Sequence, residues 1–484
     1  MRRGSESGRG LPQSKTLARR TKLLSVRGPI VRSLLEERAD VVSLEMQLVR
    51  NIRAGRLKPL LQEQQRFYSQ RRTPEEIRAW QLERFNEQWQ GLRREIPYFI
   101  RITHERKLPE RFASWDEFRR LMPVLDRKTI QSQRDEFRNP ARAPDYFRTT
   151  GGSTAEPLQL PAWHSENEFS NRDVWLARSW FGISPADKLF LIWGHSHLLG
   201  RGITGRLNGI RRQLKDSLLG YCRWSAYDLS EAALRQAGDA LLKFKPSYVI
   251  AYAVALDRFA RANAARREAF RQLGLKVAIA TAESFPRPDS ATVIADVLGC
   301  PVTMEYGAVE TGVVAHQKPT GEYNVFWQHY ALTGELSPAV PGNFEIQVTS
   351  LYPRCFPLVR YRLGDLISES PDAPEFGQKF AAVIGRCNDF VNLADGSVIH
   401  SEAFAHAVKE CPFVQSFQVV QRRDGVMEFN YVPAPQLEPD ESEVRRRLAV
   451  IHPALRDVTL RAVESIPQTI AGKTRAIVRE PAHE

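Results

Sequence analysis

The order of apolar and polar positions divides the chain into a helical beginning and a longer α/β part. Apolar residues recur at helical spacing through residues 30–103, and Thr73-Pro74 is a helix start with threonine as the cap. Farther along, short apolar runs alternate with helical stretches. The runs are 189–193, 248–252, 277–280 and 302–304, and the helices between them are 232–244, 256–273 and 289–298. This alternation predicts an α/β fold whose mainly parallel sheet is covered by helices.

The pattern changes again toward the end of the chain. Strand-like alternation covers residues 343–351 and 360–366, and Asp424-Gly425 is a hairpin signal between two short apolar runs. A helix is predicted at 441–451. We therefore expect a basic, disordered tail at 1–28, a large domain with a helical lead-in at 29–386, and a small α+β domain at 387–484.

Composition indicates a soluble globular protein. The chain has 484 residues, of which 42% are hydrophobic and 26% charged, so it can form a large core. Its apolar runs are strand-sized and too short to cross a bilayer. The five cysteines are scattered without a C-x-x-C pair, which argues against a disulfide framework and a structural zinc site. These features predict a cytoplasmic protein without a membrane span, and they leave its oligomeric state open.

The net charge of +13 is concentrated at the beginning of the chain. Residues 1–28 hold eight Lys and Arg against one Glu, and so contribute +7. This composition is typical of a disordered tail, although organelle transit peptides share it. The remaining surplus suits ATP, coenzyme A or an acidic carrier protein. A nucleic-acid-binding role would rest on charge alone, so we expect no specific nucleic-acid site.

Four stretches in a fixed order carry the candidate chemistry. They are 148–157, 306–312, 361–366 and 467–473, with Gly385-Arg386 between the last two. In the first stretch, glycines open backbone N–H groups to an anion and hydroxyl side chains add donors, so it is suited to wrap a polyphosphate. It is not a Walker loop, because no Gly-Lys-Ser/Thr closes it.

Together these stretches resemble the acyl-adenylate-forming (AMP-forming ligase) superfamily. The nearest likeness is to phenylacetate–CoA ligase-like proteins and their capsular-polysaccharide-biosynthesis relatives, over roughly residues 75 to 480. The resemblance implies a large adenylation domain and a small mobile C-terminal lid domain. It also implies an AMP-forming acid–thiol ligase that uses ATP and Mg²⁺ to activate a carboxylic acid, then transfers the acyl group to a thiol, with coenzyme A as the expected acceptor and an aryl acid as a guess.

The resemblance assigns a role to particular residues. Glu310 would bind Mg²⁺, Tyr306 would lie against adenine, Asp365 would accept hydrogen bonds from the ribose, and Lys473 would serve adenylation. The expected catalytic residues are thus Lys473, Glu310 and Thr154. The expected nucleotide-binding residues are Thr150, Gly151, Gly152, Ser153, Thr154, Glu283, Tyr306, Gly307, Asp365 and Arg386.

Three departures from the family pattern leave alternatives open. Ala155 stands where glycine is common, Val309 where a hydroxyl is frequent, and Asn388 where the hinge aspartate is usual. The acceptor could instead be a carrier-protein thiol, an amine or a sugar hydroxyl in polysaccharide or secondary-metabolite assembly. A non-catalytic nucleotide-binding scaffold is the alternative from another class, favoured by Val309 and Ala155 and opposed by Glu310, Asp365 and Lys473.

Overall fold

The computed structural model describes most of the chain after its basic beginning. The described residues are 29–138, 142–149, 158–193, 202–226, 229–287, 289–337, 342–368, 377–386, 390–395, 398–408, 411–467 and 474–480. The expected tail at 1–28 lies outside them. Within them, no helix combines the length and apolar character that crossing a membrane requires.

The chain begins with a helical layer. Its helices are α1 (Pro29–Ser69), α2 (Pro74–Glu95), α3 (Pro97–Arg106), α4 (Trp115–Leu121) and α5 (Arg127–Ser132). The predicted start of α2 is confirmed: the Thr73 hydroxyl accepts from the Glu76 N–H, and the Glu76 carboxylate accepts from the Thr73 N–H. Aromatic side chains such as Phe85 and Trp89 face inward from α2 and form one core with Phe99, Phe112 and Phe118.

A large mixed sheet follows. It contains β3 (Leu189–Trp193), β4 (Tyr221–Ser225), β5 (Tyr248–Tyr252), β6 (Val277–Thr281), β7 (Val302–Ala308), β8 (Gly312–Gln317), β9 (Tyr323–Val325) and β13 (Lys379–Phe380). The order across the sheet is β13-β9-β8-β7-β6-β5-β3-β4, and the five strands from β7 to β4 are parallel. The α/β prediction is therefore confirmed, with an antiparallel extension at one side.

Helices connect the parallel strands. They are α6 (Glu166–Ser179), α7 (Gly202–Leu219), α8 (Glu231–Phe244), α9 (Ala253–Ala262), α10 (Arg267–Arg271) and α11 (Ser290–Leu298). The prediction of a single helix over 256–273 is wrong, because the helix is interrupted between α9 and α10. At the interruption, the buried Asn263 side chain donates to the Leu234 and Phe259 carbonyls. The buried faces of these helices pack on a sheet whose central strands β5 and β6 are fully buried.

A second sheet lies across the helical layer. Its order is β10 (Tyr330–Leu336), β11 (Asn343–Ser350), β12 (Tyr361–Ser368) and β14 (Ala382–Arg386), all antiparallel. A small hairpin of β1 (Tyr146–Thr149) and β2 (Gln159–Ala162) precedes both sheets in the chain. Leu351, Phe356 and Leu358 share a core with the first helices.

The end of the chain has its own core. The elements of this part of the chain are β15 (Phe390–Asn392), β16 (Val398–His400), α12 (Ser401–Val408), β17 (Val414–Gln421), β18 (Met427–Pro433), α13 (Glu441–Ile451), β19 (Thr459–Ala462) and β20 (Ile477–Arg479). The predicted hairpin at Asp424-Gly425 joins β17 to β18. Val419, Phe429 and Leu448 are fully buried in this separate apolar cluster. The domain boundary at Arg386 remains a prediction.

Candidate functional site

The parallel strands bring two of the predicted site residues to one edge of the large sheet. Tyr252 at the end of β5 lies opposite Thr281 at the end of β6, and Thr281 lies opposite Glu305 in β7. Segments that follow these positions therefore leave the sheet at its carboxyl edge, where ligands of α/β folds bind. Glu283 and Glu310 both lie in such segments.

The segment around Glu310 is a tight turn between β7 and β8. The strand predicted at 302–304 is longer in the structure, since β7 continues through Ala308 and pairs with β8. Gly307 permits this pairing, because a Cβ there would lie 2.1 Å from the Gly312 carbonyl oxygen. The Thr311 hydroxyl accepts from the Ala308 N–H at 3.0 Å and donates to the Gly312 carbonyl at 2.7 Å. The turn is thus held by its own side chain.

Two motifs from different sheets meet through a hydrogen bond. The Tyr306 hydroxyl in β7 donates to Asp365 Oδ2 in β12 at 2.9 Å. Asp365 also lies opposite Arg386 in the β12–β14 register. The structure therefore brings Tyr306, Asp365 and the Arg386 backbone together, although 59 residues separate the first two.

The Glu310 carboxylate makes only long contacts with described side chains. The Tyr361 hydroxyl lies 3.4 Å from its Oε1, and Arg127 Nη1 lies 3.8 Å from the same atom. The Glu310 side chain is 12% exposed at the sheet edge. Mg²⁺ binds through one or two carboxylates together with substrate phosphates and waters. A single loosely held carboxylate beside an arginine therefore fits a Mg²⁺–phosphate group, and the described residues hold no cluster of three or more potential metal ligands.

Glu283 has a structural contact at the same edge. Its Oε1 accepts from the Val254 N–H at 3.1 Å, in the first turn of α9. A carboxylate is favoured there because it meets unpaired N–H groups and the positive end of the helix dipole. Ala282 before it has a φ of 72°, which is unusual for a residue with a Cβ. The predicted nucleotide contact of Glu283 stays a prediction.

Buried residues near the turn were not singled out by sequence reasoning. Arg354 donates through Nη1 to the Thr311 carbonyl at 3.2 Å and through Nη2 to the Glu310 carbonyl. Arg354 in turn faces Glu166, the first residue of α6. Neither residue belongs to a recognisable motif, so only the tertiary structure shows that they adjoin Glu310.

Burial also shifts two pKa values behind the site. Glu305 in β7 lies opposite His316 in β8, and Arg178 of α6 acts on both. Burial raises the pKa of the Glu305 carboxyl, against the attraction of Arg178. Burial lowers the pKa of His316 to about 4, so this imidazole is neutral near pH 7.

Several predicted site residues lie outside the described part of the chain. They are Thr150, Gly151, Gly152, Ser153, Thr154 and Lys473. Ala155 and Asn388 also lie outside it, whereas Val309 is described and is 43% exposed at the turn. The phosphate-binding and catalytic roles of the undescribed residues stay predictions.

A separate cleft of about 280 Å³ lies between the large sheet's helices and the C-terminal domain. Arg261, Arg287 and Phe417 are among its lining residues, and none of the described residues predicted to bind ATP lines it. Arg258 Nη2 donates to Ser416 Oγ at 3.1 Å, and the Arg287 guanidinium donates to the Val414 carbonyl. These contacts hold the two parts of the chain together.

The architecture matches that of solved ligase structures. One is 2-hydroxyisobutyryl-CoA ligase in its postadenylation state with R3-HIB-AMP, with a TM-score of 0.64 and 16% identity over 83% of this chain and 89% of that chain. This is the adenylate-forming fold. The same ligase in its thioesterification state, with 2-HIB-AMP and CoA, gives a TM-score of 0.54 and 17% identity over 84% and 90% of the two chains. The likeness is thus one of overall architecture within this fold.

Sequence comparison adds one distant relative of this chain. Protein CapK of Staphylococcus aureus is 24% identical over 210 residues, which are 40% of this chain and 44% of that protein. The match thus spans less than half of the curated relative. No family model matches the sequence.

Proposed function

We propose that this protein is an ATP- and Mg²⁺-dependent ligase that activates a carboxylic acid as its acyl-adenylate. The observation that carries the proposal is the meeting of Tyr306, Asp365 and the Glu310 turn at the carboxyl edge of the sheet, within an adenylate-forming fold. The four motifs in order and the solved ligases of the same fold support it.

In the first step, a carboxylate oxygen of the acid attacks the α-phosphorus of ATP. The bond from that phosphorus to the oxygen bridging the β-phosphate breaks, and pyrophosphate leaves. Glu310 would hold Mg²⁺, which neutralises phosphate charge when bound. Asp365, oriented by the Tyr306 hydroxyl, would accept hydrogen bonds from the ribose hydroxyls. Lys473 would place a positive charge between the acid and the α-phosphate.

In the second step, we propose that a thiol attacks the acyl carbonyl. A carbon–sulfur bond forms, the bond from the carbonyl carbon to the phosphate oxygen breaks, and AMP leaves with that oxygen. Coenzyme A is the acceptor that the solved ligases of this fold support. A carrier-protein thiol would follow the same bond changes, whereas an amine or a sugar hydroxyl would form a carbon–nitrogen or carbon–oxygen bond as AMP leaves. The cytoplasm, where both ATP and coenzyme A are available, is the proposed location.

The test is carboxylate-dependent exchange of labelled pyrophosphate into ATP with pooled aryl, fatty, hydroxy and amino acids. We expect exchange with one pool, and we expect Lys473→Ala and Glu310→Gln to lower its rate by about 100-fold or more. Lys473 would stabilise the developing negative charge directly, and Glu310 would hold the Mg²⁺ that does so. Glu322→Gln is the matched control, because Glu322 pairs with Lys379 away from the turn.

Two results would oppose this proposal. ATP binding without exchange in any pool would favour the nucleotide-binding scaffold. The exposed Val309 supports this alternative, because a hydroxyl is frequent at its position in the family that the sequence resembles. An equal loss of exchange in Glu322→Gln would show that the Glu310 effect is not specific to the site.

A further inference from the structure

A buried ionic network lies directly beneath the Glu310 turn. Its centre is Glu166 at the start of α6, whose side chain is 1% exposed, together with Arg354, whose side chain is 2% exposed. Glu166 Oε2 lies 3.0 Å from Arg148 Nη2 and 3.7 Å from Arg354 Nε. One carboxylate thus faces two guanidinium groups in the interior.

The same carboxylate also fixes two segments of backbone. Glu166 Oε1 accepts from the N–H groups of Trp163 and Cys355, each at 2.9 Å. The Cys355 N–H follows Arg354 in the chain, so Glu166 holds this arginine through its backbone as well as its side chain. A buried carboxylate with these contacts has a single favourable position.

Arg354 transmits that position to the turn. Its guanidinium donates to the carbonyls of Glu310 and Thr311, two consecutive residues of the β7–β8 turn. A planar guanidinium can hold two acceptors at a set spacing, which the compact lysine ammonium cannot do in the same way. Arg354 and, through it, Glu166 therefore hold the backbone from which the Glu310 side chain projects, and the Tyr330 hydroxyl donates to the same Thr311 carbonyl at 2.8 Å.

We propose that Glu166 and Arg354 are positioning residues that hold Glu310 in the orientation required for Mg²⁺ bound with ATP. The proposal rests on the proposed function, since Glu310 would be the Mg²⁺ ligand. Neither side chain touches the metal or the nucleotide. They would act on Glu310, the proposed metal ligand, through its backbone. Loss of such a supporting partner typically lowers metal affinity by about 10- to 100-fold.

The test measures binding of α,β-methylene-ATP to the full-length protein by calorimetry, in Mg²⁺ and in EDTA. We expect the native protein to bind the analogue more tightly in Mg²⁺. In Arg354→Lys and Glu166→Gln, this Mg²⁺-dependent gain should fall by about tenfold, with affinity in EDTA unchanged. The two variants perturb different ends of the pair, so one suffices if the other does not fold.

Asp173→Asn is the matched control. Asp173 lies on the same helix as Glu166 and is fully buried, and its Oδ2 lies 2.7 Å from His329 Nδ1. Its carboxylate accepts hydrogen bonds from Gln64 and His329, and neither of these belongs to the β7–β8 turn. We expect this variant to lose thermal stability and to keep the Mg²⁺-dependent gain. An equal loss of the gain in Asp173→Asn would mean that any damage to α6 has the same effect, and the positioning role would be wrong.

The remaining outcomes separate this inference from the proposed function. If the native protein binds the analogue and both network variants keep the Mg²⁺-dependent gain, the positioning role fails and the ligase proposal stands. If the native protein does not bind the analogue under either condition, both the ligase proposal and the positioning role fail.

Discussion

At the scale of single residues, burial decides which ionisable groups behave unusually. His316 is 1% exposed between the rings of Trp180 and Phe181, and its Nδ1–H donates to the Gln317 carbonyl at 2.8 Å. Burial lowers its pKa from 6.5 to about 4. The folded protein thus keeps this imidazole neutral at a pH where the unfolded chain binds a proton.

This difference predicts acid sensitivity. Because the folded pKa lies below the unfolded one, the stabilisation is present above pH 6.5 and is lost as the pH falls toward 4. At pH 5 the loss from His316 alone amounts to about 2 kcal/mol relative to neutral pH. We expect His316→Phe to lose correspondingly less stability between pH 7 and pH 5 in urea unfolding. The same pH dependence in both proteins would show that His316 does not contribute.

At the scale of elements, the β7–β8 hairpin is the part that places Glu310. The chain reverses within four residues, and at Gly307 it leaves no room for a side chain, because the Gly312 backbone approaches so closely. Thr311 then closes the turn with its hydroxyl. The hairpin therefore depends on a small residue and a hydroxyl at fixed positions.

Gly307→Ala should open this hairpin. A methyl group 2.1 Å from a carbonyl oxygen cannot be accommodated without moving backbone, so we expect a loss of about 3 kcal/mol in stability, together with weakened binding of α,β-methylene-ATP. Gly209→Ala is the control, since Gly209 is in α7 with no atom within 4 Å of the added Cβ. Thermal unfolding of both variants measures the loss of stability. An unchanged stability of Gly307→Ala would contradict the close backbone contact at this turn.

At the scale of the whole molecule, the C-terminal domain is attached to the large one by a few directed contacts. Arg258 and Arg287, on the large domain, donate to Ser416 and the Val414 carbonyl at the start of β17. Burial lowers the pKa of both guanidinium groups, which is the cost of placing them at this junction. A rotation of this domain between the two proposed reaction steps would have to break these hydrogen bonds.

Removing one contact should loosen the junction. We expect Arg287→Met to speed amide hydrogen exchange in residues 411–421 by about tenfold, the effect of losing one charge-assisted hydrogen bond. Amide hydrogen exchange in α13 should be the same in Arg287→Met as in the native protein. Arg446→Met, which removes an exposed arginine on α13, serves as the control. Unaltered exchange at β17 in Arg287→Met would mean that other contacts hold the junction.

The sequence by itself determined the elements and their class. Apolar periodicity was enough to predict the parallel strands β3, β5, β6 and β7 and the hairpin at Asp424-Gly425, because these features depend on near neighbours in the chain. The resemblance of short motifs to the acyl-adenylate-forming superfamily also marked Tyr306, Glu310 and Asp365. The break between α9 and α10 was missed, since it depends on a contact of Asn263 with a distant helix.

Only the tertiary structure decided which residues support one another. The Tyr306–Asp365 hydrogen bond joins two sheets, and the Glu166–Arg354 pair spans 188 residues, so no local pattern reports either contact. Buried charges are arranged by partners from several elements, and those partners meet only when the elements pack. For this protein, the resemblance of short sequence motifs to a known superfamily named the groups proposed to touch ATP, and packing determined the groups that hold them in place.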